Sequence, residues 1–310
     1  MGTKVRRLLV NDVMTCIPGT RTFWHDLQEW FGMEFVGASY DKLATWASEA
    51  AKDATLVIRN ATYFGPIDTK CPQISILQDI IDQGAPGGSH RAMQEQVVAS
   101  THVVYNSEFT RFWSKYNITG TVIPLSVDFE LFKPGNPVML REEMQIPYGS
   151  ICWIGACQAE AGYVKGWDTL VKIARMNPDL RFMAVIKDGL PERFPPNMRV
   201  YSRLQQSELV KVIGACSVGL CTSRIETQHL AGIEMGGCGL PLVVPPIGAY
   251  FNRTGMPGVI IGDEKEFTSA IRAALTMQGD ADYWKGEFNP EVVKAKWTQL
   301  VEKVECSGQS

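Results

Sequence analysis

SRIETQHLAGIEMGGCGLPLVV, residues 223–244, decides how the rest of the chain is read. The run before it, SVGLCTS (217–223), is short, apolar and bounded by small residues, and predicts a strand. Ser223 to Glu226 then form the turn. A helix follows from about Gln228 to Met235, stopped by Gly236, Gly237 and Gly239, and the next strand begins at Leu240. This places Glu226 before a helix and Glu234 about two turns inside it. The backbone N–H groups of Gln228, His229 and Leu230 lie between them. Such a helix start offers unpaired donors and partial positive charge, which suits an anion. The axial rise from Gln228 to Glu234 is about 9 Å, comparable to a nucleotide sugar measured from ribose to hexose. The spacing therefore allows Glu234 to hold a ribose diol, the helix tip a diphosphate and Glu226 sugar hydroxyls. It equally allows Glu226 to cap the helix and Glu234 to face solvent.

Outward from this stretch the same strand–helix rhythm fills the chain. RRLLV (6–10), TLVIRN (55–60), QISILQD (73–79), HVVYNS (102–107) and TVIPL (121–125) predict strands in the first half. SICWIGA (150–156), RFMAVIK (181–187), NMRVYS (197–202), LPLVVPP (240–246) and GVIIG (258–262) predict them in the second. Helical patterns separate them, so the fold class is α/β, with two Rossmann-like doubly wound parallel-sheet domains. The expected division is 1–133 for the first domain, a Pro-containing linker at 134–149, 150–288 for the second domain, and a terminal helix at 289–310 that starts at Asn289-Pro290 and has the option of returning to the first domain.

Composition narrows the function. The 310 residues are 45% hydrophobic with a formal net charge of −3, and residues 1–140 carry no excess of Lys and Arg. That weighs against a broad nucleic-acid surface. No apolar stretch reaches the length of a membrane span, and MGTKVRRLLVNDVMT reads as a first strand rather than a signal peptide. The eight cysteines contain no C-x-x-C and sit mostly in apolar runs, as expected of reduced thiols in a cytoplasmic protein.

Residues 223–244 resemble the donor-site signature of retaining glycosyltransferases of family 4, which have the GT-B fold. Ser223, Glu226, Glu234 and the Gly239-Leu240-Pro241-Leu242-Val243 run correspond to it. Two further stretches resemble the same family: VVYNSEFTRFWSKYNITGTVIPLSVDFELFKP (103–134) and WIGACQAEAGYVKGWDTLVKIA (153–174). The resemblance implies two domains facing one cleft. It also implies transfer of a sugar from a nucleotide-sugar donor to an acceptor hydroxyl with retention of configuration. Lys165 would pair with the donor diphosphate, Glu226 would act at the sugar, and Glu234 would bind the donor, as would Ser223 and the helix tip at Gln228, His229 and Leu230. The chain departs from the family pattern where Gly155 is followed by Ala156 rather than Arg, and where His229 stands in place of Gly. Phosphate neutralisation then falls to Arg224, Lys187 or Arg203, with Arg224 first because it sits in the donor turn.

In the first domain, Gly19, Thr20 and Arg21 precede a helix expected near Thr22 and resemble the family's glycine loop after the first strand. Asp79, in SILQDI, lies where the family often has His-Asp and would orient or deprotonate the acceptor. GAPGGSHRAM (84–93) reads as a loop. No metal ligand set and no cofactor are expected; the nucleotide sugar is a co-substrate. The acceptor is open: glycan, lipid, small molecule or modified DNA. A sugar-nucleotide-binding module, a phosphorylase or an epimerase of the same fold are the rival readings.

Overall fold

A computed structural model of the chain describes residues 5–11, 18–37, 40–61, 67–78, 99–114 and 119–307; for 18–22, 40–44 and 159 it describes the backbone alone. The chain divides into two compact units, Met1–Ser126 with Pro290–Ser310, and Val127–Asn289.

In unit 1, β1 (Arg7–Val10), β2 (Glu34–Val36), β3 (Leu56–Asn60), β4 (Gln73–Leu77), β5 (His102–Tyr105) and β6 (Gly120–Val122) form a parallel sheet in the order β2-β1-β3-β4-β5-β6. Helices α1 (Pro18–Phe31), α2 (Tyr40–Ala50) and α3 (Glu108–Trp113) follow β1, β2 and β5. Every side chain of β3 and β4 is buried, the polar Arg59, Asn60, Gln73 and Ser75 included. β2 escaped the sequence reading because its three residues, EFV, are largely exposed and too short to show a period. Helix α1 begins at Pro18, not near Thr22. Proline is favoured in a first turn because its missing N–H has no partner to lose there, so Gly19, Thr20 and Arg21 are helical rather than a free loop.

In unit 2, α4 (Pro137–Met144) precedes β7 (Ser150–Gly155). Then come α5 (Ala159–Lys165), α6 (Trp167–Met176), β8 (Arg181–Ile186), β9 (Met198–Ser202), α7 (Gln206–Ala215), β10 (Val218–Leu220), α8 (Leu230–Gly237), β11 (Leu242–Val244), β12 (Val259–Ile261), α9 (Phe267–Ala274) and α10 (Ala281–Phe288). The sheet order is β12-β11-β10-β7-β8-β9, all parallel. Numbered within the unit this is 3-2-1-4-5-6, with the switch point between β7 and β10. Ile151 and Trp153 face one apolar layer and Cys152 the other, so β7 is buried on both sides. The stretch read as a linker, 134–149, carries α4. The side chain of Asn136 accepts from the N–H groups of Val138 and Met139, and Pro137 takes the first turn. Pro137 thus marks a helix start within that stretch.

The chain then returns to unit 1 through α11 (Pro290–Ser307), as the sequence suggested. Trp297 is fully buried with its ring 6.2 Å from that of Phe23, and Arg7 and Glu305 pair at 2.8 Å. No helix of the described residues is long and apolar enough to cross a membrane.

Gly236 and Gly237 do not stop α8; they lie inside it, and the left-handed turn falls at Gly239 (φ 87°). The reason is packing. A Cβ at Gly236 would lie 2.3 Å from Nε1 of the fully buried Trp284, and one at Gly237 would lie 2.5 Å from the Phe129 ring. Gly236→Ala is therefore expected to lower unfolding free energy by about 1–3 kcal/mol through overpacking, despite alanine's better helix propensity. Urea denaturation checks this; a stability gain would show that the close approach is not limiting.

Candidate functional site

The carboxyl ends of β7 and β10 lie side by side at the switch point of unit 2, where open α/β sheets bind ligands. The chain leaving β10 passes against the junction of α5 and α6. Gly166 makes that approach possible: its φ is 70°, and a Cβ there would lie 1.9 Å from the carbonyl oxygen of Thr222. Thr222 Oγ1 accepts from Trp153 Nε1 at 2.8 Å and donates to the Gly166 carbonyl at 2.9 Å. The N–H of Arg224 donates to the Val164 carbonyl at 2.8 Å. Its guanidinium forms a two-pronged pair with Asp168 at 2.8 and 2.7 Å, donates to the Tyr163 carbonyl and lies over the Tyr163 ring.

This stitching sets Lys165, the last residue of α5, against Glu226. Nζ donates to Oε1 at 2.6 Å, and the Ser223 hydroxyl donates to the same oxygen at 2.7 Å. Burial alone would raise the Glu226 carboxyl, but the Lys165 charge, then His229, Lys165 and Ser223 as partners, hold it below the ordinary value. Glu226 is thus ionised, only 9% exposed, and anchored through one oxygen. No group among the described residues engages Oε2.

Helix α8 starts at Leu230, two residues later than expected, with His229 as its N-cap in the left-handed region (φ 68°, ψ 62°). The shift follows from Gln228, whose carbonyl accepts from the Ala249 N–H at 3.0 Å in the loop after β11. The free donors at the tip are therefore the N–H groups of Leu230 and Ala231, which have no partner among the described residues. A left-handed residue other than glycine costs about 1–2 kcal/mol. Glu234, one turn inside α8, is half-buried. None of the described residues bonds to its carboxyl, and burial raises it to about 7.

The other expected residues separate. Ser223 supports Glu226. Arg224 is committed to Asp168 and Tyr163, so it braces the site instead of offering an unengaged charge. Lys187 and Arg203 are exposed at the carboxyl end of β8 and after β9. Between them Asp188 accepts from the N–H groups of Cys157 (3.1 Å) and Gln158 (2.9 Å), fixing the loop after β7. Gly19 and Thr20 lie in unit 1, in the first turn of α1. Asp79 and the 84–93 loop lie outside the described residues. Tyr250 was missed: its hydroxyl is 2.8 Å from Nδ1 of His229, and a contact between residues 21 positions apart leaves no local signal.

No protein-family model matches the chain, and no curated protein sequence matches it. Solved structures do. Sucrose-phosphate synthase from Thermosynechococcus elongatus is 14% identical with a TM-score of 0.75, covering 98% of this chain and 100% of that one. HepE from Anabaena, in complex with UDP and glucose, is 13% identical with a TM-score of 0.70 over 97% and 100%. A glycosyltransferase from Rickettsia africae is 13% identical with a TM-score of 0.68 over 98% and 99%. The likeness establishes the GT-B fold with its two Rossmann-like domains.

The unpartnered Glu234 sets a stability cost with a definite pH window. Its folded value of about 7 lies above the 4.5 of a free glutamate. Between these values the folded chain keeps a proton that the unfolded chain has released, so this contribution falls as pH rises from 4.5 to 7 and then levels. Because the side chain is partly covered rather than sealed, the cost at pH 8 is about 1–3 kcal/mol. Glu234→Gln should recover it at pH 8 and change little at pH 4.5. Urea midpoints at the two pH values decide; equal effects at both would remove the ionisation argument.

Proposed function

We propose that the protein is a glycosyltransferase that moves a sugar from a nucleotide-sugar donor to an acceptor hydroxyl with retention of configuration. The observation that carries this reading is a set of unfilled bonding positions in unit 2. Among the described residues, Glu226 Oε2 and both oxygens of Glu234 have no donor, and the N–H groups of Leu230 and Ala231 have no acceptor. A sugar diphosphate joined to a ribose has the complementary pattern: hydroxyl donors at both ends and anionic oxygens between. Carboxylates suit the ends because each oxygen accepts one O–H. That the HepE structures hold UDP with glucose, or UDP-glucose, supports a uridine diphosphate sugar as the first donor to test.

In this reading Glu234 holds the ribose diol, and the tip of α8 holds the diphosphate. Lys165 turns from Glu226 to the phosphate as charge develops on the leaving group. Fixed donors aimed at developing charge act without reorganisation, which is where such sites gain most of their rate. Glu226, still held by Ser223, accepts from the sugar hydroxyls. The acceptor hydroxyl attacks from the face that the phosphate leaves, and a phosphate oxygen takes its proton. Lys165 and the helix tip supply the positive charge, so the mechanism calls for no metal. Asp79 remains the acceptor-side candidate.

Thermal stabilisation by a panel of UDP-, GDP-, ADP- and CDP-sugars tests the donor assignment. At least one should raise Tm, and Glu234→Ala should abolish the shift. With that donor, Lys165→Ala should lower kcat by about 100–1,000-fold, and proton NMR of the released or transferred sugar should show the donor's anomeric configuration. A panel without any shift overturns the reading. An inverted product overturns retention alone.

A further inference from the structure

His229 is 5% exposed, yet its ring is not an inert part of the core. It lies along the first turn of α8, with Nδ1 and Cε1 2.3 and 2.7 Å from where a Cβ on Gly232 would stand. Nδ1 bonds to the Tyr250 hydroxyl, and the two rings meet edge to face at 5.6 Å. Nε2 has no partner among the described residues and keeps access to solvent.

The Tyr250 hydroxyl fixes the tautomer. Tyr250 is fully buried, and Nδ1 is its one partner among the described residues. Were Nδ1 protonated, it would donate to the tyrosine oxygen and strand the hydroxyl proton in the core without an acceptor, a costly arrangement. Tyr250 therefore donates and Nδ1 accepts. Burial, reinforced by Lys165 and opposed by Glu226, lowers the imidazole to about 4, so the ring is neutral near pH 7. Its single proton then sits on Nε2.

Resting on the nucleotide-sugar reading above, we propose that Tyr250 locks His229 as the Nε2–H tautomer, and that Nε2–H donates to a diphosphate oxygen of the donor beside the N–H groups of Leu230 and Ala231. The side chain turns the helix tip from two donors into three. It does so without adding a charge beside Lys165, whose repulsion a cationic imidazole would have to overcome. His229 holds a left-handed backbone, a conformation that strained sites retain where the side chain is used. Tyr250 is the positioning residue.

The imidazole nitrogens report the proposal directly. With four histidines in the chain, the His229→Asn spectrum assigns the His229 signals, and asparagine tolerates the left-handed backbone. In the ligand-free full chain at neutral pH, nitrogen-15 NMR should show a protonated Nε2 and an unprotonated Nδ1. Tyr250→Phe should give a mixture of tautomers. Inorganic pyrophosphate and UDP should each shift the Nε2–H resonance, and His229→Asn should weaken UDP binding about 10–100-fold. His229→Gln, which carries an amide N–H at greater reach, should recover part of that loss. A protonated Nδ1 in the free protein overturns the proposal. So does an Nε2–H resonance unmoved by UDP in a protein whose UDP binding is lost in Glu234→Ala; in that case the donor reading stands and the role of His229 fails. If neither pyrophosphate nor UDP binds the wild type and no sugar nucleotide of the panel does, the donor reading fails and takes this proposal with it.

Discussion

The short ion pair between Lys165 and Glu226 is the interaction on which the architecture of unit 2 converges. It needs two chain segments 61 residues apart in sequence to meet at one point. The parallel pairing of β7 with β10 brings their carboxyl ends together, and everything after that is fine adjustment. Gly166 lets the backbone of Thr222 approach, Thr222 ties the α5–α6 junction to Trp153, and Arg224 clamps the outside against Asp168. Such a pair, nine-tenths covered on its acid side, carries a desolvation penalty that its own attraction barely offsets. Its retention at a switch point fits a role in ligand exchange better than a role in holding the fold. The fold has better sources of stability in the two apolar layers on either side of β7.

How far the sequence revealed this depends on which residues carry the message. The strands were legible because parallel strands buried on both faces are rich in aliphatic and β-branched residues, as in RFMAVI and LVV. Glu226, Glu234 and Lys165 were legible because their neighbourhood holds several residue types in a fixed order. What the sequence hid is tertiary. Two glycines that looked like a helix stop make room for Trp284 and Phe129. Arg224 looked like a free phosphate ligand because nothing local announces that Asp168, 56 residues earlier, holds it. The partner of His229 is likewise set by a loop from the far side of the next strand. Pro137 misled, since the same residue that ends a helix is also well suited to begin one.

The site also shows where the molecule gives up stability. Among the described residues Glu234 is half-buried with no partner, one oxygen of Glu226 is left unfilled, and His229 sits in a backbone conformation that most residues avoid. Each is a local violation that a sequence optimised only for folding would remove. They occur within nine residues of each other, at the switch point of the unit 2 sheet, while the layers beneath them are closely packed. Three such departures gathered within nine residues at a sheet's switch point are the expected mark of a site under functional constraint.

Electrostatics gives this clustering a direction. Without ligand, the charge of Lys165 is offset by Glu226, His229 is neutral and Glu234 is close to half-protonated near pH 7. The site is therefore nearly neutral, although it is built from ionisable groups. In the proposed reading, an entering diphosphate draws Lys165 away from Glu226 and frees both partners for new bonds. Ribose hydroxyls donating to Glu234 would stabilise its charged form and lower its proton affinity, so the carboxyl that is unfavourable in the empty site would become a satisfied acceptor in the filled one. On that reading, the side chains that cost stability without donor are those whose bonds the donor would complete, so the penalty in the free protein would become preference for the bound state.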